Sequence, residues 1–222
     1  MPQTGFILIN KPAGPTSHDI VYRLRKITGI KKIGHAGTLD PFASGLLLCA
    51  IGRESTKEIS KFVGLNKEYI AKVRLGATST TLDRTGEITE NSCVEIPYEN
   101  ILSILNTFIG TQEQMPPMFS AKKVGGKKLY ELARQGKEVE RQPSLINIYS
   151  ITNITYHWPF LTFQVKVSSG TYIRTLAHDL GEKLGCGAFL EELERISIGD
   201  YVLKNSIAIN DLDSENWTSR LF

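Results

Sequence analysis

The stretch Gly34-His35-Ala36-Gly37-Thr38-Leu39-Asp40-Pro41 joins a glycine-rich loop to the apolar run that follows it through Ile51. Small residues on the His35 side of the loop allow a ligand or another chain to approach the backbone. Pro41 disfavours helical geometry at Asp40 and suits the first turn of a helix. We therefore predict a buried helix over residues 43–51 with Asp40 at its N-cap, where the helix dipole favours an ionised carboxylate.

The role of Asp40 stays open between capping and catalysis on this pattern alone, because an Asp before Pro is commonly only a cap. Thr81-Leu82-Asp83 repeats the tripeptide at 38–40 but precedes Arg84-Thr85-Gly86. That context is typical of a turn, and we interpret Asp83 as a turn residue.

The surrounding segments do not alternate regularly between strand and helix, which indicates an α+β fold. Period-two and short apolar patterns predict strands, and period-3.6 patterns with capping residues predict helices. The predicted strands are 6–9, 68–75, 146–156, 161–168 and 196–203; the predicted helices are 17–28, 98–109, 128–135 and 171–184, with a short helical piece at 188–193.

The composition is that of an ordinary globular protein, with 41% hydrophobic and 22% charged residues in 222. It excludes global disorder, and no apolar run reaches the length of a membrane span. The three cysteines are far apart, which disfavours a disulfide framework or a zinc ribbon and fits a reducing cytoplasm. No phosphate-binding loop, dinucleotide motif or metal-ligand spacing occurs, so we expect no cofactor and no metal.

Positive charge is concentrated in two segments, although the net charge is only +3. Residues 10–40 hold six Lys or Arg against two Asp, and residues 122–141 hold seven against three Glu. This distribution indicates a face that binds a polyanion, although lysines and arginines that only solvate surface elements would give the same pattern.

The motifs together resemble those of the TruB family of pseudouridine synthases over roughly residues 6–196. The loop at 34–46 is similar to the family's catalytic motif nearly residue for residue. Four further segments resemble its N-terminal motif, second motif, RNA-gripping thumb and third motif: Asn10-Lys11-Pro12 with Thr16-Ser17, Lys67-Glu68-Tyr69 with Leu75-Gly76, Gln114-Met115-Pro116-Pro117 through Tyr130, and Ser169 through Gly181.

The resemblance implies isomerisation of uridine to pseudouridine, at uridine 55 in the T-loop of tRNA, without metal or cofactor. It implies a single catalytic domain over 1–222 with a mixed, mostly antiparallel sheet, flanking helices, a thumb at 112–143 and a C-terminal part at 171–222. Bacterial members usually carry an RNA-binding PUA domain, which we do not expect here because the sequence ends at Phe222. We expect a cytoplasmic monomer that binds the T-arm stem-loop, with no membrane contact and no obligatory protein partner.

The resemblance also implies roles for individual residues. Asp40 matches the catalytic aspartate, Arg174 the arginine that pairs with it, and Tyr69 the tyrosine that stacks on the base and acts in proton transfer. The matches to substrate-contacting positions are His35, Tyr172 and Leu193, and Lys11 is a candidate contact to a phosphate or the active site. The basic residues expected to contact RNA are Lys122, Lys123, Lys127, Lys128 and Arg134.

Each of these residues also has a plain structural interpretation as a loop, packing or surface residue. Three other functions stay open: an RNA chaperone that folds the tRNA elbow, a guide-RNA-dependent synthase, and a hydrolase with Asp40 as nucleophile. Unmodified tRNA after incubation, dependence on a guide RNA, and release of free uracil would distinguish them.

Overall fold

The computed structural model describes residues 3–120, 122–133, 135–137 and 139–222, of which residues 123, 124, 127, 128, 130 and 131 are described by their backbone alone. The chain forms two compact units. The first unit comprises the residues up to Tyr69 together with Leu193–Phe222, and the second comprises Ile70–Glu192. Within the described residues, no helix has the length and apolar character to cross a membrane.

Helices and strands follow in mixed order along the described chain. The α-helices are α1 (Ser17–Thr28), α2 (Arg53–Glu58), α3 (Ser60–Val63), α4 (Tyr98–Asn106), α5 (Leu129–Ala133) and α6 (Ile173–Leu184), with 3₁₀ turns at Leu203–Asn205, Ile209–Asp211 and Trp217–Arg220. The strands are β1 (Gly5–Lys11), β2 (Ile33–His35), β3 (Ser44–Ile51), β4 (Lys67–Leu75), β5 (Ala77–Ser79), β6 (Ile88–Glu90), β7 (Gly110–Gln114), β8 (Lys123–Val124), β9 (Lys127–Lys128), β10 (Ser144–His157), β11 (Phe160–Val167), β12 (Ala188–Ile198), β13 (Tyr201–Val202) and β14 (Ile207–Ala208).

The first unit is built on strands in the order β14-β1-β3-β12, with β2 also paired to β3 and β13 to β12. The β1–β3 pair is antiparallel, and the β1–β14 and β3–β12 pairs are parallel. Alternate side chains of β1 and β3 enter two apolar clusters, with Ile9 and Leu47 packed beside α1 and Leu8 and Leu48 beside Phe62. The mixed character predicted for the sheet is confirmed.

Helix α1 begins and ends where the sequence predicts. Thr16 and Asp19 form a capping box at its N-terminus, which satisfies two amides that the helix leaves open. Gly29 ends the helix in the left-handed conformation, with its N–H bonded to the Arg25 carbonyl. The apolar face formed by Ile20 and Leu24 is fully buried, as the period-3.6 pattern predicts.

The helix predicted over residues 43–51 is wrong, because Ser44–Ile51 is strand β3. Seven of its eight residues are buried, since strands pair with it on both sides and both of its faces are covered. A strand in this position is continuously apolar and shows no period-two pattern. Asp40 is therefore not a helix N-cap; it precedes a turn at Pro41-Phe42 that leads into the strand.

The second unit contains strands in the order β4-β11-β10-β7, and the predicted β10–β11 pair is antiparallel. Helix α6 matches its predicted segment, with Ile173, Leu176 and Leu180 buried. The helical piece predicted at 188–193 is wrong, because these residues open strand β12. Leu and Glu favour a helix there, and strand pairing overrides that weak preference.

Candidate active site

The loop that carries Asp40 is held by hydrogen bonds on both sides of that residue. Ala36 N–H donates to the Leu48 carbonyl at 2.9 Å. The buried hydroxyl of Ser17 accepts from Leu39 N–H at 2.9 Å and donates to the Leu39 carbonyl at 3.0 Å. Ala43 N–H donates to the Asp40 carbonyl at 3.1 Å, which closes the turn. The Asp40 side chain is partly exposed, so a fixed backbone presents an accessible carboxylate.

Lys11 supports this loop from inside the first unit. Its ammonium is buried and donates to the carbonyls of Pro12, Pro15 and Pro41 at 2.9, 2.8 and 3.4 Å. Burial lowers the pKa of Lys11 to about 8, and the negative charge of Asp40 opposes that shift. The contact of Lys11 to a phosphate or the active site stays a prediction; in the structure its ammonium bonds the carbonyl of Pro41, next to Asp40.

His35 lies at the end of β2, just before the loop, and is mostly buried. Loss of water contact lowers its pKa to about 4, and the positive charge of Arg195 adds to this effect. Its buried Nδ1 has no hydrogen-bond partner among the described residues. The imidazole is therefore neutral at physiological pH.

Arg195 is a residue of this site that the sequence analysis does not predict. It is buried in β12, and its guanidinium donates to the carbonyls of Leu46 and Gly37, at either end of the Asp40 loop. The signal that could identify it is period-two spacing, since Leu193 and Arg195 lie on the same face of one strand. The incorrect helical prediction at 188–193 hides that spacing.

Tyr69 and Leu193 both lie in strands. Tyr69 is the last residue of the first segment of the first unit, and Leu193 is the first residue of its second segment. Tyr69 is in β4 and Leu193 in β12, and each is 8% exposed. In β4, Tyr69 shares its buried face with Lys67 and Ala71. The structure thus places Lys11, His35, Asp40, Tyr69 and Leu193 together in the first unit.

Arg174 and Tyr172 belong to the second unit, at the start of α6. Arg174 Nη1 lies 3.4 Å from a carboxylate oxygen of Asp83, and both side chains are buried. The guanidinium also donates to the carbonyls of Thr81 and Phe119 at 3.1 and 2.7 Å. A buried ion pair with this many hydrogen bonds holds the Arg174 side chain in one orientation.

Asp83 is therefore more than the turn residue that the sequence predicts. The turn itself is confirmed, because Asp83 Oδ1 accepts from Thr85 N–H at 2.9 Å and from the Thr81 hydroxyl at 2.8 Å. The other carboxylate oxygen is the one that pairs with Arg174. Nothing local to the turn signals that pairing.

Tyr172 is held by a side chain that the sequence analysis does not single out. Gln114 accepts from Tyr172 N–H at 2.8 Å and donates to its carbonyl at 3.0 Å. Gln114 is 5% exposed and ends strand β7. This two-bond clamp fixes the backbone from which the Tyr172 ring and the first turn of α6 project.

The predicted RNA-contacting lysines lie around the hairpin β8–β9 and helix α5. Lys122 donates to the Gln142 carbonyl at 3.2 Å and to the Ser144 hydroxyl at 2.6 Å, so it braces the base of this segment. The side chains of Lys123, Lys127 and Lys128, and the whole of Arg134, lie outside the described residues.

Comparisons with known proteins match nearly the whole chain. The TruB family pseudouridylate synthase N-terminal domain matches residues 25–173, and the tRNA pseudouridylate synthase B C-terminal domain matches residues 174–220. The tRNA pseudouridine synthase B of Protochlamydia amoebophila is 49% identical over 91% of this chain and 77% of its own. That of Clostridium novyi is 45% identical over 96% of this chain and 73% of its own.

Solved structures show the same fold. A chain of a Cbf5-Nop10-Gar1 complex superimposes with a TM-score of 0.73 at 30% identity, covering 94% of this chain and 53% of that one. A chain of an H/ACA RNP bound to a substrate RNA containing 2'-deoxyuridine gives 0.71 at 28% identity, covering 94% and 52%. The present chain spans about half the length of these solved chains.

Proposed function

Since the chain belongs to the TruB family of pseudouridine synthases, it isomerises uridine to pseudouridine in tRNA, and we propose that its target is uridine 55 of the T-loop. The observation that carries the assignment of the site is the loop at 36–43. Its backbone is fixed on both sides of a partly exposed carboxylate, that of Asp40. A loop immobilised in this way pre-organises one reactive group for substrate.

In the proposed reaction, Asp40 supplies the carboxylate that starts the cleavage of the N1–C1′ glycosidic bond, by attack or by proton abstraction. The detached uracil turns, C5 bonds to C1′ as any bond to Asp40 breaks, the hydrogen on C5 leaves as a proton, and N1 takes up a proton in its place. No atom is gained or lost overall, so the reaction is an isomerisation.

The target nucleotide must leave the stack of its RNA loop before the carboxylate can reach it. We assign the flipped base to Tyr69, with Tyr172 and Leu193 as further contacts, and the displacement of the base to His35. A neutral His35 fits this role, because an uncharged imidazole can displace the base without attracting the RNA phosphates on either side of it. Arg174 is assigned as the cation that pairs with the catalytic carboxylate.

The proposed partner is the T-arm stem-loop, gripped by the basic segment at 122–141. Lysines and arginines that neutralise phosphates make such binding salt-dependent, and recognition of a folded RNA loop follows its shape and its splayed bases. We propose that the protein acts in the cytoplasm on tRNA, as a monomer without an obligatory protein partner.

Replacement of the proposed catalytic carboxylate tests this function. Asp40→Asn keeps the size of the side chain but removes its charge, so we expect T-arm binding to persist and pseudouridine formation to cease. Release of tritium from 5-labelled uridine in tRNA measures the reaction. Asp200→Asn, at an exposed turn position, is the matched control and should react like the wild type. Release by Asp40→Asn at the wild-type rate would refute the assignment.

A bare T-arm hairpin separates this function from its alternatives. Conversion of the hairpin by the protein alone excludes a requirement for a guide RNA, and pseudouridine without free uracil excludes hydrolysis. Unmodified RNA after incubation with excess wild-type protein would instead favour a chaperone.

A further inference from the structure

Arg195 is an unusual residue for the interior of the first unit. Its side chain is 1% exposed, and a guanidinium stays charged throughout the physiological pH range. Among the described residues it forms no direct ion pair, and the partners that its guanidinium bonds are carbonyl oxygens. An apolar side chain of similar volume fills such a space at lower cost, which suggests that the hydrogen bonds of Arg195 serve another purpose.

The hydrogen bonds of Arg195 lead to both ends of the Asp40 loop. Nε donates to the Leu46 carbonyl at 2.8 Å, and Nη2 donates to the Gly37 carbonyl at 3.1 Å. The guanidinium is planar and rigid, so these two donors hold the two carbonyls at a set separation. A single side chain thus ties together the two ends of the loop that contains Asp40.

The backbone of Arg195 also shapes the base of this loop. Arg195 lies opposite Gly45 in the parallel pairing of β3 with β12. Gly45 has a φ of +103°, and a Cβ there would lie 2.6 Å from the Arg195 nitrogen and closer still to its carbonyl oxygen. Because Gly45 has no Cβ, the backbone at the end of the loop can approach the backbone of Arg195 closely.

The charge of Arg195 reaches the neighbouring functional groups. It contributes to the lowered pKa values of His35 and Lys11, which flank the same loop. Arg195 is therefore close to His35 and Lys11, while its own side chain is buried.

We propose that Arg195 is a positioning residue for catalysis, which fixes the ends of the loop at 37–46 so that Asp40 keeps one orientation toward the target nucleotide. The proposal rests on the function proposed above for Asp40. It predicts that loss of the guanidinium loosens this loop specifically and slows the chemical step more than it weakens RNA binding.

Two substitutions and one control test the proposal. Arg195→Met keeps most of the volume and removes all donors, whereas Arg195→Lys keeps the charge but loses the two-pronged geometry. Lys67→Met is the control for loss of a buried positive charge near Arg195, because the Lys67 ammonium donates to the carbonyls of Val63 and Leu65. Hydrogen exchange at the amides of Ala36, Leu39 and Ala43 reports on the loop independently of activity.

We expect Arg195→Met to speed exchange at these three amides and to lower the single-turnover rate by about 100-fold, the cost of a small misplacement of a reacting group. The Kd for the T-arm hairpin should change by less than about twofold, because the loss falls on the chemical step. Arg195→Lys should recover part of both effects. Lys67→Met should leave loop exchange unchanged.

Two results would overturn the proposal. The first is a folded Arg195→Met variant with wild-type loop exchange. The second is faster exchange that is equal in the loop, α1 and β1, which would make Arg195 a residue of general stability. A different result would separate the two proposals. If the wild type is inactive but loop exchange still speeds up in Arg195→Met, the proposed function is wrong, whereas the role of Arg195 in fixing the loop is supported.

Discussion

His35 illustrates how burial alone can set the protonation state of a single residue. The motif resemblance predicts a role for it at the target base, and burial in the structure lowers its pKa from 6.5 to about 4. Desolvation is the main cause, since a buried imidazolium loses its water. This consequence depends on tertiary packing and is invisible in the sequence.

The shift makes His35 a source of acid sensitivity. Between pH 6.5 and 4 the unfolded chain binds a proton at His35 that the folded protein does not, so stability falls as the pH drops through this window. His35→Gln removes that loss. Between pH 7 and 4.5 we expect the free energy of unfolding of His35→Gln to fall less than that of the wild type, the difference being at most about 3 kcal/mol.

Urea unfolding at the two pH values measures this difference. His157→Gln, which changes an exposed histidine at the end of β10, is the control and should follow the wild type. Equal acid sensitivity of His35→Gln and the wild type would contradict the packing described for His35.

Asp83 marks the limit of prediction from sequence at this scale. The pattern Asp83-Arg84-Thr85-Gly86 predicts the turn, and the turn forms. The pairing with Arg174 joins residues far apart in the chain, and a single sequence carries no signal for it. Motif resemblance singles out Arg174 but does not predict its ion pair with Asp83.

At the scale of elements, the predictions succeed where capping residues or alternation are explicit. Helix α1 has its capping box and its terminal glycine, and β4 has a period-two pattern. The prediction fails at β3, because a short, fully apolar run fits a buried helix and a central strand equally well. Gly45, with its positive φ, is the local feature that rules out the helix, and its φ cannot be read from the sequence.

Gly45 therefore offers a test of how β3 and β12 meet. In Gly45→Ala the new methyl group adds a steric clash with the Arg195 backbone to the strain of a positive φ. Gly110→Ala is the matched control, because Gly110 has a φ of +114° but open space around its missing Cβ.

We expect Gly110→Ala to cost about 1–2 kcal/mol of stability, the strain of a left-handed residue alone. Gly45→Ala should cost at least about 2 kcal/mol more, because overpacking at a strand pair displaces the backbone. Urea denaturation of both variants measures the difference. Equal losses would show that Gly45 is needed for its backbone conformation and not for the close approach to Arg195.

At the scale of the whole molecule, the sequence shows where basic residues are concentrated, but it does not show which group each of them contacts. Of the basic residues in the segments at 10–40 and 122–141, Lys11 is buried beside the Asp40 loop and Lys122 bonds Gln142 and Ser144. Both would be counted as RNA contacts from charge alone. Their roles follow from which carbonyls fold next to them, and composition does not contain that information.

The two kinds of lysine should differ in how they affect the salt dependence of RNA binding. Each phosphate that a lysine neutralises contributes about 0.9 to the slope of log K against log salt on a duplex. If Lys127 and Lys128 contact the T-arm stem, the double change Lys127→Ala/Lys128→Ala should reduce the slope by about 1–2.

Lys122→Ala should lower stability and leave the slope nearly unchanged, because its ammonium is engaged by Gln142 and Ser144. Titration of T-arm hairpin binding over a range of salt concentrations separates the two, and a larger loss of slope for Lys122→Ala would reverse the assignment.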